Sequence, residues 1–392
     1  MRVLHLTPEF PPVIWGGLGT AVGGLATASA RAGLSVGVLL IGGVLVIGNS
    51  SYGNGNLFWD RTIISDESLT FGRDGVFFLH VSPQEAEEAG IRFVRKWKPG
   101  VLHLHTAWLW PIARAIRDQT ETPLVFTVHS LDRAEYEIGD FVTDWNTQEQ
   151  VITAADRVIA LSESEYKFIA KYCPAAKKRV RIVGNGIDNS LKSRVTHAKK
   201  ETELITILYS GRFVDRKGIR ELFQSIPLIL NEKPNVHFVL AGGYGTALEI
   251  ERTWLDHSLF EYRNKIQFTG WLTPDEVAEL YKLVDILVVP SWYEPFGMVI
   301  LEGMLHGLCI AATSVGGPSD ILEHQKTALL FPPQNVEALK ETLLELISDS
   351  ALRDRLGKEA FHEVRRKWLW PGIVKKIRGV YLEAIQSRNG PI

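Results

Sequence analysis

Cysteine is scarce: the 392 residues include two, Cys173 and Cys309. Two thiols cannot build a disulfide framework, and they fit a reducing, cytoplasmic compartment. Charge of one sign is missing too. The 43 basic and 45 acidic residues leave a net charge of −2, without the basic excess that a nucleic-acid partner requires. Long apolar runs are also missing. The one membrane-like stretch, residues 34–48, falls short of the ~20 residues that cross a bilayer, and it carries Gly37, Gly42, Gly43 and Gly48. It reads as a buried strand entering a glycine-rich loop. The opening Met-Arg-Val-Leu-His-Leu-Thr reads as a strand and lacks the basic-then-apolar order of a secretory signal. Metal signatures are lacking as well. There is no Asp-x-Asp, and His362-Glu363 continues as Val-Arg-Arg, not as the HExxH of a zinc site.

What is present is alternation. Continuous apolar runs at residues 2–7, 34–41, 75–81, 101–105, 124–129 and 158–162 are separated by helical patterns such as 20–31 and 84–96. Strands that are apolar throughout belong to a parallel sheet covered on both faces. A turn signal at Asn185-Gly-Ile-Asp188-Asn189 and a charged linker at 192–203 interrupt the pattern, which restarts at 204–210, 236–241, 266–269, 286–290 and 308–312. The expected architecture is α/β, with two doubly wound Rossmann-like units, 1–187 and 188–370, facing across a cleft. A final helical pattern, 362–387, is interrupted at Pro371-Gly372, so its last part is placed to brace the first unit.

Three loops carry candidate chemistry. Gly16-Gly17-Leu-Gly19 follows the first strand and opens a helix, where backbone N–H groups and the helix dipole favour phosphate. It is a poor dinucleotide fingerprint, because Val22 stands at the third glycine and no acid ends the second strand. Gly211-Arg212 through Lys217-Gly218 occupies the matching place in the second unit. Two cations there suit a leaving diphosphate. Ser291 to Glu302 is the most specific, with Glu294 at a strand end and Glu302 on the following helix. Two carboxylates can accept hydroxyl protons at either end of one ligand, and the amides of Phe296, Gly297, Met298 and Val299 lie between them. Each loop also has an ordinary reading as a tight or solvated turn.

In this order, and over nearly the whole chain, these motifs resemble the retaining glycosyltransferases of the GT-B fold. That group, glycosyltransferase family 4, includes glycogen synthases, sucrose synthase and many exopolysaccharide transferases. The Glu294-x7-Glu302 spacing, the loop 9–24, Phe126-Thr-Val-His129-Ser130 and Asn185-Gly-Ile-Asp188 carry the likeness. The resemblance implies that Gly16, Gly17, Arg212 and Lys217 hold the diphosphate of a nucleotide sugar such as UDP-glucose. It implies that Glu302 holds the ribose, and that Glu294 with the loop amides holds the transferred hexose. His129 would lie beside the reacting sugar. No cofactor or metal is implied, since Arg212 and Lys217 can do a metal's work. Ser130 stands where glycogen synthases usually carry Asn, which leaves the acceptor open between a saccharide and a lipid-linked one.

Other features invite two readings. Glu9 ends the first strand and reads equally as acceptor-facing or as a surface carboxylate; Trp108, Trp110 and Trp292 read equally as sugar-stacking or core. His103-Leu-His105 has metal-like spacing but reads as structural or acceptor-lining. The cluster Lys167, Lys171, Lys177, Lys178, Arg179 and Arg181 is a solvated face or a contact with an anionic membrane surface. Acceptor contacts are expected from the loop 47–60. The rival function is a nucleotide-sugar-binding protein without turnover.

Overall fold

The computed structural model describes residues 1–11, 14, 16–42, 70–71, 75–139, 145–189, 204–243 and 259–389. The expected linker 192–203, the loop 47–60 and Gly43 and Gly48 lie outside the described residues. The first sheet contains β1 (Arg2–Thr7), β2 (Ser35–Ile41), β3 (Thr70–Phe71), β4 (Val76–Val81), β5 (Val101–Leu104), β6 (Leu124–Val128), β7 (Arg157–Ala160) and β8 (Val180–Ile182). Their spatial order is β3-β4-β2-β1-β5-β6-β7-β8. Every pairing is parallel except that of the edge strand β3 with β4. The second sheet contains β9 (Ile205–Ser210), β10 (Val236–Ala241), β11 (Ile266–Gly270), β12 (Ile286–Val289), β13 (Cys309–Thr313) and β14 (Leu329–Phe331). It is parallel throughout, in the order β11-β10-β9-β12-β13-β14.

The helices are α1 (Gly17–Arg31), α2 (Ala86–Trp97), α3 (Trp110–Thr120), α4 (Asp132–Glu137), α5 (Trp145–Ala154), α6 (Glu163–Tyr172) and α7 (Ile219–Glu232), then α8 (Pro274–Leu283), α9 (Met298–Leu305), α10 (Gly316–Ile321), α11 (Val336–Ser348), α12 (Ser350–Lys367) and α13 (Trp370–Asn389). Strands such as β6, β12 and β13 are buried at every position, so their sequences are apolar without alternation. Strand order reverses beside β1 in the first sheet and beside β9 in the second. Ligands of such sheets bind outside the carboxyl ends of the strands at these reversals. The loops after β1, β5, β9 and β12 lie at these reversals.

The chain crosses between the sheets twice, at one place. Ile187 N donates to Trp368 O at 2.8 Å and Trp370 N donates to Ile187 O at 3.2 Å. The helical break therefore falls at residues 368–369, not at Pro371-Gly372. Pro371 lies in the first turn of α13, where its missing N–H costs nothing. Beyond it, Ile373, Val374, Ile377, Val380, Tyr381 and Ala384 join the core under the first sheet with Val22, Leu25, Val36, Val101 and Val125. Hydrophobic burial ties this last helix to the first lobe. Ile373 is fully buried, so Ile373→Ala should cost about 2–5 kcal/mol in urea unfolding. A loss below about 1 kcal/mol would show that α13 contributes little to that core.

Candidate active site

The carboxyl edge of the second sheet gathers the charged groups. Gly218, after the turn that follows β9, has φ +70°, and a Cβ there would stand 1.9 Å from the Pro290 carbonyl oxygen. Only glycine lets this turn press against the end of β12. The contact seats Lys217, whose Nζ lies 2.5 Å from Glu294 Oε2. Ser291 Oγ donates to the same oxygen at 3.5 Å, and Gly317 N donates to the Glu294 carbonyl at 2.8 Å. Burial pulls the Lys217 pKa down, and Glu294 acts to raise it. Arg212 is half-buried in the same turn. Its backbone carbonyl accepts from Tyr209 Oη at 2.7 Å, and its guanidinium has no hydrogen-bond or ion-pair partner among the described residues.

Glu302 stands one turn into α9. Tyr281 Oη from α8 donates to its Oε2 at 2.8 Å, and burial pushes the Glu302 pKa up while the tyrosine lowers it. Between the two glutamates, the amides of Phe296, Gly297, Met298 and Val299 have no backbone acceptor among the described residues. The Phe296 ring is core, packed with Leu161 and Trp368 where the lobes meet. Thus the loop buries its aromatic side chain and leaves its N–H groups for a ligand.

The first lobe faces this edge. Gly16 caps α1 and Gly17 begins it; a Cβ at Gly17 would stand 3.8 Å from the Met298 side chain. The two loops therefore meet across the cleft. Glu9 reaches back to the first turn of α1, 3.1 Å from where a Cβ of Gly19 would be. His129 ends β6 half-buried, its Nε2 3.0 Å from His105 Nδ1. Next to it Ser130 Oγ donates to Glu135, which lies 3.4 Å from Arg216 of the opposite lobe.

Family models match both lobes: Glycosyltransferase Family 4 over residues 15–191 and Glycosyl transferases group 1 over residues 191–363. The chain belongs to these glycosyltransferases. It is 26% identical to a glycogen synthase of Mycobacterium tuberculosis, covering 100% of this chain and 97% of that one. Among solved structures, a sucrose-phosphate synthase from Thermosynechococcus elongatus superposes with a TM-score of 0.77 at 22% identity, over 97% of this chain and 98% of that one. Anabaena HepE in complex with UDP-glucose gives 0.73 at 16% identity, again over 97% and 98%. The GT-B architecture expected from the motifs is the one the glycosyltransferase has.

Several expectations change on inspection. Trp108 stands 53% exposed, whereas Trp110 is buried in the first core and Trp292 is half-buried. His103 and His105 are enclosed, as their structural reading requires. Together with His5 their ligand atoms lie within 4.8 Å of one another, close enough for a metal. Five of the six ring nitrogens, however, are already spent. His103 bonds Tyr381 and Thr127, His105 bonds His5 and His129, and His5 Nε2 alone is without a partner. The basic cluster is also partly committed. Arg179 bonds the carbonyls of Ala155 and Thr153, Arg181 pairs with Glu383 and Lys171 with Glu137.

Sequence reasoning missed one side chain. Tyr293 belongs by chain to the donor loop but packs into the core of the first lobe. Its Oη accepts from Leu131 N at 3.0 Å and donates to Glu165 Oε1 at 3.1 Å. The Ser-Trp-Tyr-Glu run gave no sign that this ring crosses the cleft. Burial pushes the Glu165 pKa from 4.5 to about 8. A raised folded pKa means that the native state holds a proton the unfolded chain has lost. That stability is whole below about pH 4.5 and is lost as pH rises towards 8. Gln mimics the protonated acid, so Glu165→Gln should gain on the wild type by on the order of 1 kcal/mol per pH unit between pH 5 and 8. Chemical denaturation across that range reads it; a difference that does not vary with pH would mean an ionised Glu165.

Proposed function

We propose that this glycosyltransferase is a retaining, metal-independent hexosyltransferase that uses UDP-glucose or a similar nucleotide hexose. Its acceptor would be a saccharide or a lipid-linked sugar, in exopolysaccharide or envelope glycan synthesis. The observation that carries the reading is the pairing of Lys217 with Glu294 beside an Arg212 whose guanidinium has no partner among the described residues, opposite the Gly17 helix terminus. A diphosphate entering there would take Lys217 and Arg212 as its cations, with the amides of Gly16 and Gly17 on its other side. Glu294, released from Lys217, would accept hydrogen bonds from the hydroxyls of the transferred sugar. Glu302, held by Tyr281, would accept from the ribose.

Chemistry at the anomeric carbon would pass through an oxocarbenium-like state. In this reading Glu294 is given to the sugar hydroxyls, Glu302 to the ribose and Glu9 to the acceptor, so no carboxylate is assigned as a covalent nucleophile. Displacement on the front face, with the departing phosphate taking the acceptor proton, accounts for retention without one. His129 would donate to the sugar or to the phosphate oxygen, and Glu9 and Trp108 would meet the acceptor. No helix among the described residues is long and apolar enough to cross a membrane; a cytoplasmic enzyme touching the inner surface through Lys167, Lys177 and Lys178 fits that.

The two glutamates should separate kinetically. Ribose changes little along the reaction, so Glu302→Gln should raise donor KM more than it lowers kcat. Glu294→Gln should lower kcat by about 100-fold, as loss of a contact to developing charge does, while UDP binding by calorimetry stays near wild type. The reverse pattern would exchange the two roles. Excess EDTA should leave transfer from labelled UDP-glucose intact, because fixed cations already balance the leaving charge; loss on chelation, restored by magnesium or manganese, would overturn metal independence.

A further inference from the structure

Three histidines form a line from the middle of the first sheet to the cleft. His5 of β1 and His103 of β5 are register partners, and His105 and His129 follow the ends of β5 and β6. His5 Nδ1 lies 2.8 Å from His105 Nε2, and His105 Nδ1 lies 3.0 Å from His129 Nε2. His103 stands beside the line, with both nitrogens held at 2.7 Å by Tyr381 and Thr127. At the inner end, His5 Nε2 is buried without a partner. At the outer end, His129 Nδ1 has none among the described residues, and the ring is half-buried.

We propose that His5 and His105 are positioning residues that fix His129 as the tautomer with its N–H on Nδ1, facing the cleft. The proposal rests on the transferase reading only in placing His129 beside the reacting sugar. Burial holds these rings neutral, drawing the pKa values of His5 and His129 down to about 3 and that of His105 well below its ordinary value. A neutral imidazole has one N–H and one lone pair. Three neutral rings joined by two hydrogen bonds allow two arrangements, with all protons directed outward or all directed inward. The inward one leaves an N–H at the buried His5 Nε2 with no acceptor among the described residues. The outward one leaves a bare lone pair there. A buried N–H without an acceptor is the rarer and costlier defect. The outward arrangement wins, and His5 Nδ1–H donates to His105 Nε2, and His105 Nδ1–H to His129 Nε2. His129 is thereby a hydrogen-bond donor towards the cleft and not a base, which suits a phosphate oxygen gaining charge as the sugar departs.

The test is a two-bond proton–nitrogen correlation spectrum of the full-length protein carrying 15N-histidine, with His129 assigned by its loss in His129→Gln. The expected spectrum shows protonated Nδ1 and a bare Nε2 at His129; protonated Nε2 would overturn the proposal outright. His105→Leu should release the ring to protonated Nε2 or a mixture and lower kcat about tenfold or more, with donor KM within about twofold. An unchanged His129 tautomer in His105→Leu would also refute the proposal. An expected spectrum in a native protein that transfers no sugar would refute the transferase reading alone.

Discussion

The site depends on one side chain in the wrong lobe. Tyr293 is carried by the loop after β12, yet its ring lies in the hydrophobic core beneath β5 and β6. Its hydroxyl is clamped between Leu131 N and the Glu165 carboxyl. An aromatic ring with a satisfied hydroxyl fixes position strongly, because moving it would expose apolar area and strand two buried polar partners at once. Glu294 is the next residue. The carboxylate read as meeting the sugar is therefore set relative to His129 through one residue of chain on its own side and two on the other, from Leu131 back to His129. The distance across the cleft becomes a property of core packing.

Charge follows the same logic. Each ionised group near the cleft has a partner that a ligand can replace, except Arg212, which has none among the described residues. Lys217 and Glu294 neutralise each other, and Arg216 meets Glu135, which also takes the Ser130 hydroxyl. The second contact gives the serine its partner: Ser130 Oγ donates to a carboxylate that also faces Arg216. Buried pairs of this kind cost desolvation and contribute little net stability. In the proposed reaction their use would be organisation: the cations are dehydrated before a diphosphate arrives, so less water would have to be moved during binding.

Much of this was legible in the residues. Strand positions followed from apolar runs, because both faces of each sheet are covered, and the Gly-rich turns and the Glu294–Glu302 loop mark strand ends by composition. The missed strands are the short ones. Thr70–Phe71 has two residues, and Val180–Ile182 and Leu329–Phe331 have three each, too few for any period to emerge. The break before α13 was placed at Pro371 because proline usually interrupts, when here it starts a helix. The structural reading of His103 and His105 holds, since both rings are enclosed and hydrogen-bonded; what the local pattern lacks is their partner. His103 and His105 are two apart, which suggests a shared ligand or a lining role, but β1 inserts His5 opposite them from 100 residues away, and no local pattern encodes that. Tyr293 was hidden for the same reason: its partners, Leu131 and Glu165, lie in the other lobe.

The buried histidines show why polar groups persist in this core. A sheet of leucine and valine would pack as well around β1 and β5, and desolvation is avoided when no nitrogen needs a partner. Every imidazole here except His5 has its enclosed nitrogens satisfied, and the one orphan atom, His5 Nε2, sits at the end farthest from the cleft. If the line existed only to fill space, there would be no reason for the defect to fall at that end or for the satisfied bonds to run on to His129. A defect at the inner end is what biases the direction of the protons along the whole line. The cost of one unsatisfied atom thus becomes a polarity, delivered at the cleft by the last ring.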